Sequence, residues 1–297
     1  MVASRILVSL FALRVTLAYC AALAVVAVAL LVLGPDAQNS VVARMSTNLH
    51  NLKHGRLDTL FGSAFVTDGG LIFASLPGLV CLLAVAELLL HGRRVVLAFL
   101  LGHVGATLIV AVGLAVAIHM GWLETGTARA TDVGISYGVA AVLGALTAAI
   151  PNRWRAAWTG WWIAIAVLVA MVNKDFTSVG HTLALMLGVV LSWRFGSPAG
   201  WTPTRLGLLA AGAWFGYLVI DGASVPIAPV VGLAGAGSAV VAHRLVVRWR
   251  SAEHAADQPR PADDVETEND EYDRHQPPAG PLKRLDDPLM RHGQLAC

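Results

Sequence analysis

The sequence predicts an all-α polytopic membrane protein, and three observations carry that prediction. Hydrophobic residues fill 56% of the 297 positions and charged residues only 13%, against roughly a quarter charged in an ordinary soluble domain. Mean hydropathy is +0.65. The apolar residues gather into runs close to the roughly 20 residues that carry a helix across a bilayer core, with none of the alternation of a barrel. Helices are the form such runs take, because in lipid every backbone N–H and C=O must be satisfied within the segment. Three cysteines do not make a disulfide scaffold, and the 29 glycines show no collagen-like period. The Arg and Lys of the body come in ones and twos between apolar runs, so nucleic-acid binding has no support.

Eight runs approach spanning length: Val15 to Leu33, Leu71 to Leu90, Val95 to Ala117, Val133 to Ile150, Ala156 to Val172, Val179 to Trp193, Leu206 to Ile220 and Val225 to Ala242. Leu17-Ala18-Tyr19-Cys20 has the outline of a lipoprotein cleavage site, but Tyr19 is too large for one and the apolar run continues past Cys20, which predicts a retained helix. The long loop from Gly34 to Gly70 contains Leu57, Leu60, Phe61, Ala64 and Phe65, the stripe of a segment lying in the interface. One set of alternate loops holds eleven Lys/Arg, among them Arg93, Arg94, Arg153 and Arg155, and the other set holds five. By the positive-inside rule this predicts a cell-membrane protein with both termini cytoplasmic. Residues 251–297 hold 11 of the 19 Asp/Glu and 5 of the 21 Lys/Arg, a balance of −6. With almost no branched or aromatic residue to bury, that stretch reads as a disordered acidic cytosolic tail. The expected organisation is a six-helix membrane core over 1–195, two additional transmembrane helices over 196–250, and the tail.

Polar residues at membrane depth are costly and need a reason. Two span starts carry most of them: Asp132-Val133-Gly134-Ile135-Ser136-Tyr137-Gly138 and Asp175-Phe176-Thr177-Ser178-Val179-Gly180-His181. A serine hydroxyl is a poor nucleophile until a base takes its proton, and histidine is the usual base. Both spans run inward from the same side, so Ser136 and His181 lie roughly 6 and 9 Å below Asp132 and Asp175, at matching depth. Gly134, Gly138 and Gly180 let backbones approach, and the Ser136 amide at a helix start is a donor for a developing oxyanion. Two other readings stand beside this one. Gly134 to Gly138 is also the small-xxx-small spacing of helix packing, and His181 alone can bond a neighbouring carbonyl. His103, near the middle of the third span, reads as bonded to a neighbouring helix. His50 and His54 are spaced for a metal on a helix but lack a third ligand, so neither metal nor cofactor is expected.

On these residues the chain resembles the rhomboid intramembrane serine proteases, whose nucleophile lies in G-x-S-G on the fourth helix and whose base lies on the sixth. Gly134-Ile135-Ser136 matches the first three positions, and His181, Ala184 and Gly188 match the family's H-x-x-small-x-x-x-G pattern. The long loop between the first two helices is similar to the family's, and Glu87, ahead of Gly92 and Arg93, resembles its acidic residue on the second helix. From the sequence it reads as paired with Arg93 or Arg94. The resemblance covers about residues 10 to 195. It implies a rhomboid-like six-helix bundle and a Ser136/His181 dyad cleaving transmembrane segments of other membrane proteins within the bilayer. The chain departs from the pattern in two places. The His and Asn that help hold the oxyanion at the outer end of the second helix are absent from Thr67 to Ser75, leaving Ser75 or Thr67 as candidate donors. Tyr137 replaces the glycine after the nucleophile and narrows or occludes the cleft. The alternative is a catalytically degenerate rhomboid-like protein that binds transmembrane clients without cleaving them.

Overall fold

The computed structural model describes residues 12–66, 72–196, 200–221 and 224–256. Among them are helices and turns and no strand. The first helix, α1 (Arg14–Leu33), is followed by a loop that folds into α2 (Pro35–Met45), α3 (Leu49–Lys53), α4 (Thr59–Gly62) and a 3-10 turn at Ser63–Phe65. Next come α5 (Ile72–Leu90), α6 (Gly92–Leu100) and α7 (Ala106–His119), the last two joined by a π-helical turn at Leu101–Gly105. Then follow α8 (Ser136–Ala145) with a 3-10 turn at Leu146–Ala148, α9 (Asn152–Asn173), α10 (Phe176–Ser192), α11 (Pro203–Asp221) and α12 (Ala228–Ala256). Among the described residues six stretches are long and apolar enough to cross a membrane: α1, α5, α6 with α7, α9, α11 and α12; α8 and α10 are shorter apolar helices. The chain is an all-α, multi-pass membrane protein. Residues 67–71, with the candidate donor Thr67, and 257–297 of the tail lie outside the described residues. Ser251–Ala256, assigned to the tail from composition, continue α12, as good helix formers such as Ala and Glu allow.

Helix α8 is the centre of the bundle: every residue from Tyr137 to Ile150 is buried. It ends in a tightened turn before Pro151, where the Arg155 guanidinium donates to the Ala148 and Ile150 carbonyls at 2.7 and 2.8 Å and the Trp201 indole to that of Ala149 at 3.1 Å. These donors take the place of the next helical turn. Helix α10 packs against α8 through bare backbone, because a Cβ on Gly144 would strike the Leu185 carbonyl and one on Gly188 the Ala141 carbonyl. Small residues at such a seam are how helices associate in lipid, where apolar burial alone gives no preference for a neighbour over a lipid tail. The glycines picked out from the sequence do other things. A Cβ on Gly138 would meet the Phe99 ring and one on Gly180 the Tyr137 ring, while Gly134 precedes the helix at φ +116° with open space around it.

The expected pairing of Glu87 with Arg93 or Arg94 is wrong. Its carboxylate accepts from the Val15 amide at 3.0 Å and from the Thr16 amide and hydroxyl, both at 2.8 Å. These donors belong to the first turn of α1, where N–H groups lack intrahelical partners and negative charge is favoured. A buried carboxylate is better satisfied by three fixed donors than by arginines that reach water.

Candidate functional site

The segment leading into α8 is held by the loop after α1. The Asp132 amide donates to Ser46 Oγ at 2.9 Å, the Thr47 amide to the Asp132 carbonyl at 2.8 Å, and the Gly134 amide to the Ser63 carbonyl at 2.9 Å. Gly134 turns the chain at a positive φ that side-chain-bearing residues rarely adopt. The same loop is pinned from below. Ser63 Oγ lies 3.1 Å from His103 Nε2 in the π-helical turn and 2.8 Å from Thr47 Oγ1, which lies 2.8 Å from the Thr59 carbonyl. His103 therefore bonds the loop rather than a neighbouring helix. With Thr47 spending its proton on the Thr59 carbonyl, Ser63 donates to Thr47 and receives the His103 Nε2–H.

Ser136 is the first residue of α8 and half-buried. The first turn of α10 is fixed by Asp175, whose carboxylate accepts from the Ser178 amide at 2.7 Å and the Ser178 hydroxyl at 2.9 Å. One turn further in lies His181, 7% exposed. Between the two helices stands Tyr137, itself buried, with its ring against Gly180 and edge-on to the His181 imidazole at 5.5 Å and 81°. Among the described residues neither ring nitrogen of His181 has a hydrogen-bond partner. In this conformation, then, Ser136 and His181 lie on paired helices but share no hydrogen bond. An unsatisfied buried imidazole is costly and rare. The Ser75 hydroxyl donates to the Ile72 carbonyl at 2.9 Å, within the first turn of α5.

Burial pushes the Asp132 carboxyl, in the loop ahead of α8, up to about 6. Of the spaced histidines, His54 Nδ1 lies 2.7 Å from the His50 carbonyl, and no cluster of three metal-ligating side chains occurs among the described residues. The Ser63–Thr47–His103 network was not visible in the sequence, since its partners are 16 and 40 positions apart on a loop and a span with no periodic relation.

A family model described as rhomboid-like protein matches residues 12–193. The chain belongs to the rhomboid-like family. The match takes in every helix from α1 to α10, so both Ser136 and His181 fall in the rhomboid-like region, while α11 and α12 lie beyond it. Searches of curated proteins and of solved structures gave no match.

Proposed function

We propose that this rhomboid-like protein is an intramembrane serine protease that cleaves transmembrane helices of other membrane proteins. The observation that supports the reading best is a buried, unpartnered imidazole at His181 on the helix seamed to the one that begins at Ser136. In this reading Ser136 Oγ attacks the scissile carbonyl and passes its proton to His181. His181 then gives that proton to the leaving amine, and water admitted from the outer side releases the acyl group. The Ser136 amide and its neighbours in the first turn of α8 face the oxyanion. Gly134 sets the approach to the helix, and Tyr137 holds the imidazole edge until substrate engages. Ser75 contributes a donor once it leaves the Ile72 carbonyl. The catalytic core is residues 1–195, with both termini cytoplasmic.

Proteoliposomes holding a panel of single-span reporter substrates test this. Wild type cleaves near the outer end of the span, and Ser136→Ala and His181→Ala each lower the rate by about 10³ or more. Equal cleavage by wild type and Ser136→Ala contradicts it. The missing Ser136–His181 hydrogen bond favours a second reading, a client-binding protein without proteolysis. It predicts no cleavage by either protein and equal co-purification of clients with both.

A further inference from the structure

Beyond the family match, α12 meets the rhomboid-like region along α9. The two helices touch where Gly160 and Gly235 face each other, each so close that a Cβ would strike the other's carbonyl. To one side of that crossing, between α9, the end of α10 and α12, runs a groove of about 1030 Å³. Its floor is one stripe of α9, from Arg155 through Ile163 and Val167 to Met171. At about 1.5 Å per residue that stripe is roughly 24 Å long, more than the roughly 15 Å depth of one leaflet.

The polarity of the groove is one-sided. Its Met171 end is apolar, whereas Thr147, Asn152, Arg155 and His243 all line the opposite end. Two of the five Arg155 donors are spent on the Ala148 and Ile150 carbonyls, which fixes the guanidinium in place and leaves three free. Thr147 is 5% exposed and lines the groove, and its hydroxyl has no hydrogen-bond partner among the described residues. A buried hydroxyl of this kind is normally paired. A fixed cation, an orphaned hydroxyl and an imidazole at one end of a leaflet-deep apolar channel match a single chemistry, an anionic headgroup above an acyl chain.

We propose that this groove binds one anionic phospholipid, its phosphate held by Arg155, Thr147 and His243 and one acyl chain laid along α9 toward Met171. The site joins the rhomboid-like region to α12 and is independent of the proteolytic reading.

Native mass spectrometry of the full chain in non-ionic detergent tests this, with phosphatidylglycerol and phosphatidylcholine of identical acyl chains as probes. The expected result is a one-to-one phosphatidylglycerol adduct, bound about tenfold or more tightly than phosphatidylcholine, which has the same phosphate but adds a choline cation that the fixed Arg155 charge repels. Thr147→Val removes the orphaned hydroxyl without touching the Arg155 contacts and lowers the affinity about three- to tenfold. Val167→Trp fills the channel far from the charge and abolishes the adduct, while millimolar inorganic phosphate does not displace it. Equal binding of the two lipids, an adduct that survives Val167→Trp, displacement by phosphate alone, or a lipid-free dimer each overturns the proposal.

Discussion

A carboxylate buried in a membrane bundle needs donors, and Glu87 finds three of them at the start of α1. Glu87→Ala leaves these groups unpaired and costs on the order of 2–4 kcal/mol. Glu87→Gln, which keeps an acceptor, costs less. Thermal unfolding in detergent orders the three proteins wild type, Gln, Ala, and equal melting of wild type and the Ala variant contradicts the assignment. Burial acts on Asp132 through its charge. Burial raises its pKa to about 6 from the ordinary value of 3.8, so the folded state holds the proton longer. Its contribution is therefore present below about pH 4 and lost as pH rises through about 6. Asp132→Asn, which stays neutral, gains melting temperature relative to wild type between pH 4 and pH 7; a constant difference across that range contradicts the burial argument. Neither behaviour was legible in the sequence. Glu87 sits close to Arg93 and Arg94 along the chain, but its donors are 71 and 72 positions away, and no local pattern announces them.

At the scale of the element, the α8–α10 seam depends on the absence of side chains at Gly144 and Gly188. Gly188→Val forces a branched side chain into the Ala141 carbonyl and costs about 1–3 kcal/mol or more. Gly113→Ala, with open space around it inside α7, keeps or slightly raises stability, and equal melting of the two variants overturns the seam. The existence of these helices was readable from apolar runs, but their ends were not. The run of the sixth span starts at Val179, yet Asp175 caps the helix and draws its start back to Phe176. The fourth span opens at Ser136 rather than Val133 because loop residues Ser46, Thr47 and Ser63 take up the backbone groups of Asp132 and Gly134. Hydropathy sees only the apolar run, whereas a helix begins where a cap or a loop contact ends the alternatives. Helical rise alone gives the matching depth of Ser136 and His181, and their two helices are neighbours. What rise cannot give is rotation about the axis, and it is Tyr137, from α8, that stands edge-on to the imidazole.

At the scale of the whole molecule, apolar residues answer to two different surroundings. Val25 and Val32 of α1, Val112 of α7 and Val230 of α12 are all more than 60% exposed and form a belt for lipid. Val139 and Leu143 of α8 are fully buried in protein. Both sets are equally apolar, so composition established the membrane class but could not say which helix is central. Around that central helix the loop after α1, the π-helical turn and α10 converge on the start of α8, and this convergence is what the proteolytic reading uses. The measurement that tests it most directly is labelling with a fluorophosphonate probe, followed by peptide mapping of the modified serine. A single adduct on Ser136 that disappears in His181→Ala is the expected result. An adduct on another serine such as Ser63, or one on Ser136 that is unchanged in His181→Ala, would contradict it.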